Sequence, residues 1–434
     1  VLANADPDAA LEDARARYAA RHPASRRVHE AALRSLPGGN TRTGIFFDPF
    51  PIAWARGEGA CLWDEDGHRC TDFLGEASAG IFGHSHPVIR AAVLAQLDRG
   101  WNFGGHTAME AELAGLLTAR FPSLEQVRLC NSGTEANMMA VQAARVATGR
   151  PAILGFAGCY HGGLLSFTAR RNPLNMPLET VVAPYNDADA AARLIDARAA
   201  DLAAVIVEPM IGGNGCIPAD PAFLAMLRER TAHHGIVLIF DEVMTSRLAP
   251  GGLQQRLGIA PDMTTLGKYI GGGFTVGAFG GRTALMQGFD PRGPAPLQHS
   301  GTYNNNVFTL AAGIAGLGTI YTPEAAVALN ARGDALRDRL NAVCREADVA
   351  LQITGIGSML AFHPVRGPVH TPADAARADP RLRALLFHDL LEQGLYMMPK
   401  RCFMALSLPL DEPAFVALED ALREFVAARR SLLA

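Results

Sequence analysis

Lys268 stands in Thr264-Thr265-Leu266-Gly267-Lys268-Tyr269-Ile270-Gly271-Gly272-Gly273, a lone lysine between a short polar run and three glycines. A lysine amine flanked by small residues can form a Schiff base with an aldehyde, because little side-chain bulk holds the backbone away from it. Upstream lies the acidic pair Asp241-Glu242. Further upstream, Asn131-Ser132-Gly133-Thr134-Glu135-Ala136-Asn137 precedes an Ala-, Met- and Val-rich stretch. A Gly-Thr turn at a helix start offers backbone N–H groups, hydroxyls and the positive end of the helix dipole to a phosphate. An aldehyde, a phosphate and a protonated ring nitrogen together describe pyridoxal 5′-phosphate. Lys268 suits the first, Ser132, Gly133 and Thr134 the second, and Asp241 the third, since a carboxylate on the ring nitrogen makes the ring an electron sink. Each stretch alone has a plainer account: a surface lysine in a loop, a helix-capping box, or a strand-end acid that caps the next loop.

Other positions extend the same chemistry. Gly158-Cys159-Tyr160-His161-Gly162-Gly163 follows a strand and sets an aromatic beside a histidine in an open turn. Tyr160 stacked on the cofactor ring would hold its plane, with His161 beside it; a packing tyrosine is the alternative. Val243, two residues past Asp241, would point to the same side of an extended backbone and cover the opposite ring face. Lys268, once displaced by a substrate amine, would move the proton at the substrate carbon.

Positioning these groups requires strands that end in them. Apolar runs at 152–156, 203–208 and 236–241 alternate with Ala/Leu-rich helical stretches from about residue 76, the pattern of a parallel sheet covered on both faces. Two of the runs end in carboxylates, Glu208 and Asp241, where ligands sit in open α/β sheets. Ahead of this region, residues 7–36 read as one amphipathic helix ending at Pro37-Gly38-Gly39. Residues 51–64 read as strand-like, and Asp66-Gly67 is a hairpin signal before 68–73, so a small antiparallel sheet is expected. Pro291–Pro296 reads as a surface loop and 307–321 as a helix. Beyond it, helical 323–347, strand-like 350–363 and helical 380–394 suggest a smaller α+β domain.

Composition narrows the function classes. The chain has 434 residues, 49% hydrophobic and 19% charged, as expected of a folded multidomain enzyme. A formal net charge of −4 offers no basic face for nucleic acid. Seven cysteines show no CxxC pair, and no histidine cluster has metal-ligand spacing, so neither disulfides nor a metal is expected. No long apolar run marks a membrane span. The start, Val1-Leu2-Ala3-Asn4-Ala5-Asp6, lacks the basic-then-apolar order of a signal peptide, and a cytoplasmic location is expected.

Five motifs, Asn131-Ser132-Gly133-Thr134-Glu135-Ala136, Gly158-Cys159-Tyr160-His161-Gly162, Asp241-Glu242-Val243-Met244-Thr245, Thr265-Leu266-Gly267-Lys268 and His299-Ser300-Gly301-Thr302, stand in the order and spacing of class III aminotransferases. The resemblance covers nearly the whole chain. It implies the α/β PLP-dependent transferase fold type I: a large, mostly parallel-sheet domain with a smaller α+β domain from both chain ends. The corresponding divisions are 1–75 for the N-terminal helix and small sheet, 76–320 for the cofactor-binding domain, and 321–434 for the C-terminal part of the small domain. It further implies a homodimer in which Thr302 contacts the phosphate of the partner subunit's cofactor.

Within the class the chain resembles the branch of the glutamate-1-semialdehyde aminomutases and the aromatic β-amino acid aminotransferases. The aminomutases continue after Gly-Thr with a Leu-Ser-Gly-Asn-Pro type segment. This chain instead has Tyr303-Asn304-Asn305-Asn306, similar to the β-phenylalanine enzymes. Asn40-Thr41-Arg42-Thr43 and Pro399-Lys400-Arg401-Cys402-Phe403 resemble the carboxylate-binding stretches of that branch, with Lys400 as a one-residue insertion. A bidentate guanidinium fixes a carboxylate, and two substrates of different length call for two of them. Arg42 is the candidate for the β-amino acid carboxylate and Arg401 for the acceptor, 2-oxoglutarate or pyruvate. Phe46, Phe47, Phe50 and Phe82 are candidates for an aromatic wall or for core. The expected activity is transfer of an amino group from an aromatic β-amino acid to a keto acid. The rivals are intramolecular transfer by an aminomutase and a cofactor-binding protein without catalysis.

Overall fold

The computed structural model describes residues 6–167 and 172–434. The chain divides into two compact units, one of residues 87–330 with 370–372, the other of 1–86, 331–369 and 373–434.

The first unit is built on a seven-stranded sheet in the order Gln126–Cys130, Gly277–Gly281, Met263–Gly267, Val237–Asp241, Leu202–Val207, Ala152–Phe156, Thr180–Ala183. Only Gly277–Gly281 runs antiparallel to its neighbours. The strands 152–156, 202–207 and 237–241 are buried at every residue, which is why they read as unbroken apolar runs rather than alternating ones. Helix Gly133–Thr148 packs on the sheet beside Gly277–Gly281 and Met263–Gly267. It starts at Ser132, whose hydroxyl accepts the Glu135 N–H at 3.1 Å, and ends at Gly149 with φ of 67°. The stretch expected as one helix over 307–321 is α-helical over Val307–Ala315 and widens to a π-type turn over Gly316–Ile320.

The second unit holds the chain ends. The expected single helix over 7–36 is two, Pro7–Arg21 and Pro23–Ala32. Pro23 has no N–H to continue the first helix and begins the second. The strand-like stretch 51–64 is likewise two strands, Trp54–Glu58 and Cys61–Asp64, turning at Gly59, whose φ of 56° the reversal requires. They pair with Arg69–Asp72 as an antiparallel sheet, but a fourth strand, Leu395–Tyr396, joins parallel to Arg69–Asp72. A second sheet orders Gln352–Ile356, Met359–His363 and Phe403–Ala405. No helix among the described residues is long and apolar enough to cross a membrane.

Candidate active site

Five neighbouring chain segments leave the carboxyl ends of parallel strands at one edge of the large sheet. Cys130 leads to Ser132, Phe156 to the 158–162 turn, Val207 to Glu208, Asp241 ends its strand, and Gly267 leads to Lys268. This is the edge where open α/β sheets hold ligands. Asp241 is buried there and its carboxylate is clamped. Oδ2 accepts Asn137 Nδ2 at 2.8 Å and His161 Nδ1 at 2.8 Å, and Oδ1 accepts the Val243 N–H at 3.0 Å. Asn137 is itself set by Thr265, whose hydroxyl donates to Asn137 Oδ1 at 2.6 Å. Strand register pairs Thr265 with Asp241.

The Val243 N–H bond closes a turn directly after Asp241, so the backbone is not extended at Val243 as its spacing suggested. Its side chain still faces the site. A Cβ built on Gly133 would lie 2.9 Å from both Val243 methyl carbons, and one on Gly267 would lie 3.3 Å from Val243 Cγ1 and 3.6 Å from the Gly133 nitrogen. Val243 therefore fills a notch between the helix start and the residue before Lys268. Lys268 itself has a φ of 58°, a left-handed backbone that a lysine adopts only when its surroundings fix it.

Gly162, at φ of 109°, lets the 158–162 turn reach Thr134; a Cβ there would meet Thr134 Oγ1 at 2.3 Å. Glu208 anchors the same turn, accepting the Tyr160 N–H at 2.8 Å on one oxygen and the Gly212 N–H at 3.1 Å on the other. Burial, reinforced by the negative charge of Asp241, pushes the Glu208 carboxyl up to about 7. Tyr160 is half exposed. Glu242, the other acid of the pair, is fully buried and accepts the Leu253 N–H at 2.7 Å and the Gln254 N–H at 3.0 Å, a structural task.

These residues fit pyridoxal phosphate. A carboxylate offers about four lone-pair sites, and three strong bonds occupy Asp241, leaving capacity on Oδ1, where Thr265 stands at 3.5 Å. The helix start at Ser132 supplies the unsatisfied N–H groups a phosphate needs. Nearby, His161 Nε2 is buried without a hydrogen-bond partner among the described residues.

Spacing alone does not single out Asn137 and Thr265, although Asn137 lies one helical turn past Gly133, on the same helix face. Thr302 is exposed, in a loop tied to the helix start because Asn131 Nδ2 donates to Asn304 Oδ1 at 2.9 Å. That loop and residues 101–106 line a cavity of about 670 Å³, which none of Lys268, Asp241 or His161 lines.

In the other unit, Arg42 is exposed and ion-paired to Glu76 through Nη1 and Oε1. Arg401 is exposed, and Lys400 places its amine 5.5 Å from the centre of the Phe46 ring. Phe47, Phe50 and Phe82 are buried core residues; Phe47 meets the Phe387 ring edge-on at 4.7 Å. The fold also gathers His22, Asp64 and His68, a cluster their spacing did not suggest. There Asp64 accepts His68 Nδ1 at 2.9 Å and the Asp66 and His68 N–H groups at 3.0 and 2.7 Å.

Comparison with known proteins adds to this geometry. The family model for aminotransferase class-III matches residues 47–409. A β-phenylalanine transaminase from Variovorax paradoxus is 52% identical over 432 residues, 100% of this chain and 99% of that protein. A solved β-phenylalanine aminotransferase structure from the same organism superposes with a TM-score of 0.97 over 99% of both chains. A glutamate-1-semialdehyde 2,1-aminomutase from Sorangium cellulosum is 37% identical over 95% of this chain and 97% of its own. A transaminase solved with PLP bound gives a TM-score of 0.86 at 34% identity, covering 94% of this chain and 98% of its own.

Proposed function

Because the chain belongs to the class III aminotransferase family, we propose that it moves the amino group of an aromatic β-amino acid, such as β-phenylalanine, to a keto acid such as 2-oxoglutarate or pyruvate. The enzyme is a pyridoxal 5′-phosphate-dependent transaminase. When bound, the cofactor supplies an aldehyde for the substrate amine and a protonated ring that delocalises the electrons released at the substrate carbon.

The protein's own groups divide the remaining work. Lys268 holds the cofactor and, once freed, moves the proton at the substrate carbon. Asp241, oriented by Asn137 and His161, would accept the ring N–H. Ser132, Gly133 and Thr134 bind the phosphate. Tyr160 and Val243 would cover the two ring faces, and Glu208 holds the turn that carries Tyr160. Arg42 takes the β-amino acid carboxylate and Arg401 the acceptor's. The clamped carboxylate of Asp241, at the same sheet edge as Lys268, carries the reading of amino transfer; the β-amino acid rests on the 52% identical relative.

The assembly we assign is a homodimer acting in the cytoplasm, with Thr302 serving the partner subunit's cofactor. In support, Trp101, Phe103, Phe274 and Tyr303 are large apolar side chains left exposed on one unit.

A half-reaction tests the activity. Cofactor-loaded enzyme is mixed with β-phenylalanine and no acceptor while the visible band of the lysine-bound cofactor is followed. Loss of the band, reversed by 2-oxoglutarate, is expected. An unchanged band, with turnover of glutamate-1-semialdehyde, would replace the proposal with intramolecular transfer.

A further inference from the structure

Arg42 already holds a carboxylate of its own chain. Its guanidinium is paired with Glu76, and both side chains are exposed, at 52% and 58%. The position of Glu76 is unusually determined for a surface residue. Gly75, Glu76, Ala77 and Ser78 have φ values of 54°, 48°, 53° and 80°, four successive residues in the left-handed region that side chains other than glycine resist.

The surrounding structure enforces this turn. Asp72 Oδ1 accepts the Leu74 and Gly75 N–H groups at 2.8 and 3.1 Å, Asp72 Oδ2 is held by His84 Nε2 at 2.9 Å, and the Gly80 N–H bonds the Gly75 carbonyl at 2.8 Å. A Cβ on Gly75 would lie 2.6 Å from the Ala405 carbonyl oxygen, so only glycine fits where the turn begins. Arg42 is presented by a turn of its own, its N–H bonded to Asn40 Oδ1 at 3.0 Å. Backbone strain concentrated beside a proposed binding group is where functional constraint is expected.

We propose that Glu76 is a resident competitor for the Arg42 guanidinium, displaced when a substrate carboxylate arrives. This rests on the reading of Arg42 given above. An exposed ion pair contributes little net stability, so an incoming carboxylate can exchange with it. While the pair is closed, the Arg42 charge is neutralised, and an uncharged substrate end meets no bare cation. When the pair opens, Arg42 offers a bidentate fork. Glu76 thereby sets how strongly the enzyme favours amines that carry a carboxylate.

The test uses the holoenzyme and 3-phenylpropanoate, which has the carbon skeleton of β-phenylalanine but no amine to react. Calorimetric titration of Glu76→Gln is expected to show binding tightened about two- to fivefold over wild type. The KM for β-phenylalanine should fall by a similar factor, while the KM for 1-phenylethylamine, which has no carboxylate and would meet the bared cation, should rise or stay but not fall. Glu76→Asn, whose side chain tolerates a left-handed backbone, should behave alike. Unchanged or weaker binding in both variants overturns the competitor role. No binding to wild type, with no effect of Arg42→Ala, overturns the carboxylate role of Arg42 as well. Binding that is lost in Arg42→Ala leaves that role standing, so that a failure in the Glu76 variants then counts against Glu76 alone.

Discussion

Asp241 depends on neighbours that cannot be read from its own stretch of chain. The carboxylate at a strand end was legible in the sequence, as was Lys268 between small residues. Asn137 and Thr265 were not, because one reaches Asp241 from a helix and the other through strand register, and neither relation leaves a local pattern. Lys268→Ala is expected to abolish amino transfer in a steady-state assay. Asp241→Asn, which removes the charge proposed to face the ring nitrogen, is expected to lower kcat by about 10²–10³-fold. Full activity in either variant would break the assignment. Glu208 gives a pH signature in stability. Its folded-state carboxyl is raised from 4.5 to about 7, so between those values the folded state binds more protons than the unfolded one, and stability falls as pH rises. The loss is complete above the folded value. Below 4.5 both states are protonated and the contribution is flat. Urea midpoints measured from the lower of these pH values to the upper should fall less steeply in Glu208→Gln than in wild type; equal slopes would show that Glu208 titrates normally in the fold.

At the scale of elements, the helix start of Gly133–Thr148 is placed by close backbone approach. A Cβ on Gly277 would lie 2.0 Å from the Ser132 carbonyl oxygen, which belongs to backbone and cannot swing away. Gly277→Ala must push the antiparallel strand and the turn proposed to bind the phosphate apart. The expected cost is about 1–3 kcal/mol in stability, together with weaker retention of cofactor on dialysis. Normal retention with lowered stability would separate the strand from the site. The buried central strands were legible because burial on both faces leaves an unbroken apolar run. The division of residues 7–36 is marked in the sequence by Pro23 alone, which has no N–H to continue the first helix and starts the second. Leu395–Tyr396 leaves no mark in the sequence: two residues carry no periodicity, and their place in the sheet comes from pairing with Arg69–Asp72.

For the molecule as a whole, the proposed service of Thr302 to the partner subunit's cofactor has a direct test. Within one chain its loop is tied to the helix start through Asn131 and Asn304, and it lines a cavity bordered by Trp101, Phe103 and Tyr303, which are exposed by 52%, 52% and 60%. Apolar exposure on that scale favours a second copy closing over this face. Mixed dimers distinguish service within a chain from service across the pair. Lys268→Ala removes the reacting amine, and Thr302→Asp sets a negative charge against a phosphate, so each homodimer should be inactive. In a mixed dimer with Thr302 acting across the interface, one site collects both defects and the other has none. Random exchange of equal amounts should then restore about a quarter of the wild-type number of working sites, since half of the dimers are mixed and each regains one site. If Thr302 serves its own chain, both sites of every mixed dimer keep one defect, and mixing restores nothing.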